Sequence, residues 1–301
     1  MAEQIDRTDE GDEDEAGSRA RAERWLQKFF HFFAAPSPES YAPLFHPEGS
    51  LQDAGMAEPL PAAQTGAAIA MVLAKVPDLL IRPLRHAVRG NHVFVEARNT
   101  GSLGGAALDW GALYRVHLKD GLVHRGRRFY DQVELFRPVL PDGAALPAFP
   151  GAADAPVTAA VPPANDAAMV DRLAEAWNGA PAALAALYAP EGRHLGPGLA
   201  APLPRGALPA YQDWLRTLLS PAPVRAVDWA SAPEGNGRIL FVEFHGNGRF
   251  LGEVVPLDRI DRYLLDAGGR ILDSRSYMDT LGLVERAKPE VAAIRAAVIR
   301  G

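Results

Sequence analysis

Acid–base side chains set in apolar segments are the chemistry this 301-residue chain offers. Glu96 stands in HVFVEARNTGSL (92–103) and Glu243 in a second Phe-Val-Glu at 241–243, while Arg115 in LDWGALYRVHL (108–118) finds a counterpart in Arg262. Buried charges require partners, so a matched acid and base on neighbouring strands reads first as a cross-strand ion pair within each sheet. The sharper reading has Arg115 hold a substrate oxygen or enolate, which suits its fixed fork of donors. Six histidines, at 31, 46, 86, 92, 117 and 124, are candidate proton carriers or packed and surface side chains. Asp53 in GSLQDAGM reads as the start of an Asp-Ala-Gly turn.

Other chemistry is excluded by composition and motif. With no cysteine, the chain has no thiolate metal site, iron–sulfur cluster, disulfide scaffold or cysteine nucleophile. No His-Glu-x-x-His, Gly-x-Ser-x-Gly or P-loop occurs, and GNGRFLG (246–252) misses the dinucleotide spacing and reads as a hairpin. No apolar run approaches the roughly 20 residues that span a bilayer, and the acidic start is unlike a signal peptide. A cytoplasmic protein with no membrane partner is expected. The net charge of −6 sits in the tail, where residues 1–16 carry eight acids and one arginine. The rest is close to neutral, which argues against a nucleic-acid partner.

The chain contains a repeat. LFHPEGSLQDAGMAEPL (44–60) and LYAPEGRHLGPGLAAPL (187–203) agree at eight of seventeen positions without a gap. Phe94-Val95-Glu96 then lies over Phe241-Val242-Glu243, Leu108-Asp109 over Leu257-Asp258, Arg115 over Arg262, and Phe129-Tyr130-Asp131 over Tyr277-Met278-Asp279, the offset drifting from 143 in the first block to at most 149. The expected organisation is a disordered acidic tail (1–17), one copy (18–137), a Pro/Ala/Gly-rich linker (138–165), a second copy (166–285) and a C-terminal helix (286–301). Within each copy helices come first. The opening one carries Trp25, Leu26, Phe29, Phe30, Phe32 and Phe33, and strands joined by Arg-Gly-Asn, Gly-Gly and Lys-Asp-Gly turns follow. That order means α+β, with helices packed on a curved antiparallel sheet.

The aromatic first helix, LFHPEG, the Pro-Leu segment, VFVE and the closing strand DGLVHRGRRFYD resemble the SnoaL-like branch of the nuclear transport factor 2-like superfamily, across most of each copy. The resemblance implies two cone-shaped α+β barrels, packed through the convex faces of their sheets as an internal pseudo-dimer that is at most weakly dimeric beyond that. It also implies a cofactor-independent enzyme, free of metal, acting by proton transfer at carbon on a small, apolar, oxygenated molecule: cyclisation, isomerisation, dehydration or retro-aldol cleavage. The competing class is a non-catalytic small-molecule-binding or protein-interaction module, since one fold hosts both.

In SnoaL-like cyclases an aspartate near the end of the last long strand is the acid/base inside the cone, and Asp131 and Asp279 match that position. Enclosure in an apolar cavity would raise such a carboxyl toward neutrality. The first copy is the better candidate. It offers Tyr114, His124 and Tyr130, where the second has Leu272 over His124, Met278 over Tyr130 and Gly196 over Asp53. The second copy's ionisable set is His194, His245, Glu253, Asp258 and Asp261. The expected assembly has Asp131 as base and then acid, His124 or Asp53 assisting, and Arg115 or Tyr114 polarising an oxygen. Strand parity puts Asp131, Phe129 and Arg127 on one face, taken as the cone side, and Tyr130 and Arg128 on the other.

Overall fold

A computed structural model describes residues 15–220 and 223–300. The expected acidic tail lies mostly outside the described residues. The first copy opens with α1 (Glu15–Ala34), α2 (Pro38–Tyr41), β1 (Phe45–Gln52), β2 (Leu60–Pro61) and α3 (Ala62–Lys75). β3 (Leu80–Arg89), β4 (His92–Leu103), β5 (Ala106–Lys119), β6 (Leu122–Phe129) and α4 (Gln132–Phe136) complete it. Residues 138–165 form no helix or strand. The order then repeats: α5 (Asp166–Asn178), α6 (Pro181–Ala185), β7 (Tyr188–Leu195), β8 (Leu203–Pro204), α7 (Leu208–Leu219), β9 (Arg225–Glu234) and β10 (Gly237–His245). A short hairpin of β11 (Asn247–Phe250) and β12 (Glu253–Pro256) precedes β13 (Arg259–Leu265), β14 (Ile271–Tyr277), α8 (Leu281–Ala287) and α9 (Pro289–Arg300).

The fold is α+β, built on two six-stranded sheets of matching order, β2-β1-β6-β5-β4-β3 and β8-β7-β14-β13-β10-β9. The sheets are mixed rather than purely antiparallel, because β1 runs parallel to β6 and β7 parallel to β14. The hairpin turns form as the glycines require: Asp120 and Gly121 both take left-handed backbone (φ 54° and 72°), the twist that a tight β5–β6 connection needs. On α1, Trp25, Leu26, Phe29, Phe32 and Phe33 form one buried stripe over the sheet. Phe29 stacks on Trp25 at 4.6 Å between ring centroids and meets Tyr114 of β5 edge-on at 5.2 Å.

The two sheets meet through the faces turned away from α1 and α5. Ala87, Phe94, Leu113 and Phe129 of one pack with Ala230, Ile239, Phe241, Ile260 and Tyr277 of the other, and Phe94 stacks on Phe241 with only 6° between the rings. The matched ion pairs lie in this junction, and here the sequence reading needs correcting. Arg115 does not bond Glu96 of its own sheet. Its Nε donates to Glu243 at 2.6 Å, while Arg262 Nε reaches Glu96 at 3.4 Å, so the partners are exchanged between copies. Glu243 also accepts from Arg127 at 2.7 Å, and Glu96 from Tyr277 at 2.6 Å and Arg85 at 3.2 Å. In-register residues of twin sheets face each other across a two-fold-like junction, so the bonding that satisfies both carboxylates is reciprocal.

Candidate active site

Parity along β6 is as expected, but the face is the opposite one. Phe129 belongs to the junction cluster and Arg127 bonds the second copy, whereas Arg128 and Tyr130 point into the first cone. Asp131 therefore lies at the junction, not on a cone floor. It caps α4, with Oδ1 accepting from the Val133 N–H at 3.0 Å. The same oxygen takes the Thr280 N–H at 3.2 Å, and the Thr280 hydroxyl reaches both oxygens at 2.9 and 2.8 Å. Asp279 mirrors it, accepting from Leu281 N–H at 3.1 Å, Gln132 N–H at 3.2 Å and Gln132 Nε2 at 2.8 Å. Burial, and next the neighbouring Asp279 carboxylate, push Asp131 up to about 7; burial also raises Asp279.

The other sequence candidates scatter. His124 sits seven residues from Asp131 along extended backbone, roughly 20 Å at ~3.3 Å per residue. Its ring packs on His46 and His117 instead. Arg115 is held in the junction. Asp53 and Tyr114 do meet, inside the first cone: Arg128 Nε donates to Asp53 Oδ1 at 2.7 Å, its Nη2 bonds Oδ2, and the guanidinium lies 5.0 Å from the Tyr130 ring and 6.0 Å from Tyr114. Asp53 Oδ1 also accepts from the Ala54 N–H at 2.9 Å, the turn its neighbours favour. Burial raises the phenols of Tyr41, Tyr114 and Tyr130, so this pair is walled by neutral rings. Asp53→Ala strands a guanidinium among those rings. A loss of about 2–3 kcal/mol is expected, somewhat below that for a fully buried pair. Urea unfolding reads it as a lowered midpoint at unchanged slope. The double change Asp53→Gly/Arg128→Ser, which installs the second copy's residues, should restore part of the loss.

The second cone is built differently. Its strand pairings match the first copy's: Leu51 opposite Gly126 corresponds to His194 opposite Ser274, Val116 opposite Gly126 to Tyr263 opposite Ser274, and Tyr114 opposite Arg128 to Asp261 opposite Ser276. Where the first copy has leucine, valine and glycine facing inward, the second has histidine, tyrosine and serine. The Asp53–Arg128 pair is replaced at both ends, by Gly196 and Ser276.

These changes assemble a buried polar cluster. Arg259 Nε donates to both Asp261 oxygens at 3.1 and 3.3 Å, and Tyr263 Oη donates to Asp261 at 2.9 Å. Trp177 Nε1 donates to Tyr263 Oη at 3.1 Å, and the Arg259 guanidinium stacks 4.3 Å from the Trp177 ring. Ser274 Oγ lies 2.6 Å from Tyr188 Oη and 2.7 Å from His194 Nδ1. Burial pulls the His194 pKa down to about 4, so the imidazole is neutral at physiological pH. A chain running Tyr188 O–H to Ser274 to His194 Nδ1 uses every proton and leaves His194 Nε2 as an N–H donor.

Four side chains of this cone carry buried polar atoms with no hydrogen-bond partner among the described residues: His194 Nε2, Arg259 Nη2, Ser276 Oγ and both amide atoms of Gln212. Gln212 stands on the buried stripe of α7 with Leu208 and Tyr211. Buried polar atoms are almost always paired, with protein, water or a ligand, so several orphans in one cone make it the candidate site for a polar ligand or ordered water. His194 and Asp261 were in the ionisable set read from sequence, but Arg259, Gln212, Ser274 and Ser276 were not. The usable signal was the inward positions at which the aligned copies differ. Two open surface pockets lie elsewhere, about 350 Å³ lined by Arg225, His245 and Asp258, and about 470 Å³ lined by Trp214, Leu218, Phe250 and Leu251. Asp131 lines neither.

No family model matches the sequence, and no curated protein matches it. Solved structures do, each over about one copy. A protein assigned as a SnoaL-like polyketide cyclase from Jannaschia sp. CCS1 is 18% identical, with a TM-score of 0.36 over 39% of this chain and 90% of its own. A hypothetical protein with a ketosteroid isomerase-like fold from Catenulispora acidiphila, solved with trimethylamine, is 14% identical, with a TM-score of 0.35 over 38% of this chain and 89% of its own. An LEH-like epoxide hydrolase from M. tuberculosis is 14% identical, with a TM-score of 0.35 over 39% and 88%. The likeness is one of fold.

Proposed function

We propose that the second copy is the working half, and that it transfers a proton at carbon on a small molecule bearing a carbonyl or carboxyl oxygen. The observation that carries this is the group of unpartnered buried polar atoms in the cone that holds Asp261. His194 Nε2–H, Arg259 Nη2, the Gln212 amide and the Ser276 hydroxyl can converge on a ligand oxygen, where negative charge develops when a neighbouring carbon is deprotonated. Asp261, positioned by Arg259 and Tyr263, takes that proton as the C–H bond breaks and its electron pair moves to the oxygen. Returned to the same carbon the proton gives exchange, and returned to another carbon it completes an isomerisation; the deprotonation alone is the first half of an elimination or ring closure. Trp177, Tyr211 and Phe244 give the ligand an apolar wall, and side chains alone supply the chemistry. This keeps the acid–base chemistry implied by the family resemblance and moves it from Asp131 to Asp261.

The test is carbon–deuterium exchange by proton NMR over a panel of small ketones, enones and carboxylic acids in heavy water. Wild type is expected to exchange at least one of them, and Asp261→Asn to slow that exchange by about 100-fold or more, within the usual range for a positioned acid–base group. Asp131→Asn is expected to retain the rate. Exchange lost in Asp131→Asn but kept in Asp261→Asn would return the chemistry to the junction. Binding without exchange would leave a small-molecule-binding module.

A further inference from the structure

The polar atoms of the second cone are sealed from solvent, so a ligand reaches them only if part of the wall moves. The sheet is a hydrogen-bonded ladder and α7 is a three-turn helix, whereas residues 196–202 form a wall segment without regular structure. That loop lies directly on the unpartnered groups: a Cβ at Gly196 would come within 2.7 Å of His194 Nε2 and 2.6 Å of Tyr211 Oη. Tyr211 Oη donates to Pro197 O at 2.9 Å.

Beyond that bond, what holds the loop down comes from the linker. The Phe149 N–H donates to Gly198 O at 3.2 Å, and the Phe149 ring meets Tyr211 at 5.6 Å and Trp214 at 5.8 Å. Tyr211 in turn lies 5.5 Å from the His194 ring, so two ring contacts connect the linker to the orphan imidazole. Further along, Arg205 Nη2 donates to Val157 O at 2.9 Å, and the Ala155 N–H reaches Gly206 O at 3.4 Å. Gly143 and Gly151 flank the Phe149 segment with φ of 74° and 85°, backbone that only glycine adopts without strain. In the first copy the corresponding loop packs against the junction instead, where a Cβ on Gly55 would collide with the Gln132 amide.

We infer that the segment joining the two copies is a strap over the second cone, with Phe149 as its latch, and that lifting it between Gly143 and Gly151 admits the ligand. Its use in ligand entry rests on the second cone being the ligand site; the strap itself does not. Within this segment Ala144 and Leu146 are buried in the first copy's core cluster and anchor its near end. The part that lifts is therefore the Phe149 end, held by one backbone bond and two edge-on ring contacts, which is weak beside the sheet, as a gate must be.

Diethyl pyrocarbonate labelling of the full chain, read residue by residue by mass spectrometry, tests this without a ligand. His31 and His86 are exposed and serve as internal references. In wild type His194 should label far more slowly than they do. Phe149→Ala should accelerate His194 at least tenfold relative to the references at an unchanged melting temperature, and Phe149→Leu, which keeps an apolar anchor, should stay near wild type. An unchanged His194 rate in Phe149→Ala overturns the strap. So does an acceleration that appears only with a lowered melting temperature and equally in Phe149→Leu, since His194 would then be exposed by unfolding. Failure of the deuterium-exchange test with a positive labelling result would remove the catalytic reading and leave the strap standing.

Discussion

Glu243→Ala is expected to lower the unfolding free energy by about 3–5 kcal/mol, the range for removing one partner from a buried charge cluster. Glu243 is fully buried, and it receives Arg115, Arg127 and the His245 ring together. Alanine would leave Arg115 without its closest partner beside a junction packed by Phe94, Phe129 and Phe241, while Arg127 would keep only the Asp258 carboxylate at 2.8 Å. Asp228, 3.5 Å from Arg115, offers only partial relief. Burial opposes the Glu243 charge, but Arg115, His245 and Arg127 outweigh it and hold the carboxyl well below the usual range. A depressed folded-state pKa means that this stabilisation is present above the unfolded value of about 4.5 and is lost as the pH falls below it. Urea unfolding at pH 7 and pH 4 should therefore find the wild type and Glu243→Gln closer together at the lower pH. Arg115→Lys separates structure from chemistry at this site. Lysine cannot span Glu243 and Asp228 as a fork, so stability should fall while exchange catalysed in the second cone keeps its rate. Lost turnover at full stability would make Arg115 a substrate clamp after all.

The duplication and the order of elements were legible in the sequence, because LFHPEG over LYAPEG and the glycine turns are local signals. Which residue bonds which across the junction was not. Glu96 and Glu243, and Arg115 and Arg262, are identical types at equivalent positions, so pairing within a copy and pairing between copies look the same until the sheets are set face to face. The choice of face failed for a related reason. The alternation through Arg127, Arg128, Phe129 and Tyr130 gives parity, but both faces of this sheet are buried, one by α1 and one by the second copy. Neither reads as the solvent side that normally fixes the assignment. The second cone is built from positions at which the copies differ, not from those they share. Leu51, Gly126 and Arg128 against His194, Ser274 and Ser276 is a set of differences, and only the strand register shows that they fall in one place.

Asp131→Asn is expected to gain stability on wild type as the pH rises, by roughly 3 kcal/mol between pH 5 and pH 8. Folding carries the Asp131 carboxyl from an ordinary pKa of 3.8 to about 7. Between those values the folded protein holds a proton that the unfolded chain has released, so stability falls with pH at about 1.4 kcal/mol per unit, and the fall ends once the pH passes the folded value. Asparagine can still accept from the Val133 and Thr280 N–H groups but carries no charge to bury, so its melting temperature should be flatter over the same range. Asp279 supplies the control. Removing its charge in Asp279→Asn lowers the Asp131 pKa, and the wild-type loss should then end at a lower pH. Parallel pH profiles for wild type and Asp131→Asn would show that this carboxyl titrates as an ordinary exposed acid. The expected result bears on function as well. A carboxyl raised toward neutrality is a mark of active sites, but structural junctions perturb pKa values too. At Asp131 every bond is to a helix cap or to Thr280, so the raised pKa records the burial of the seam between two copies, while the groups left without partners are those around Asp261.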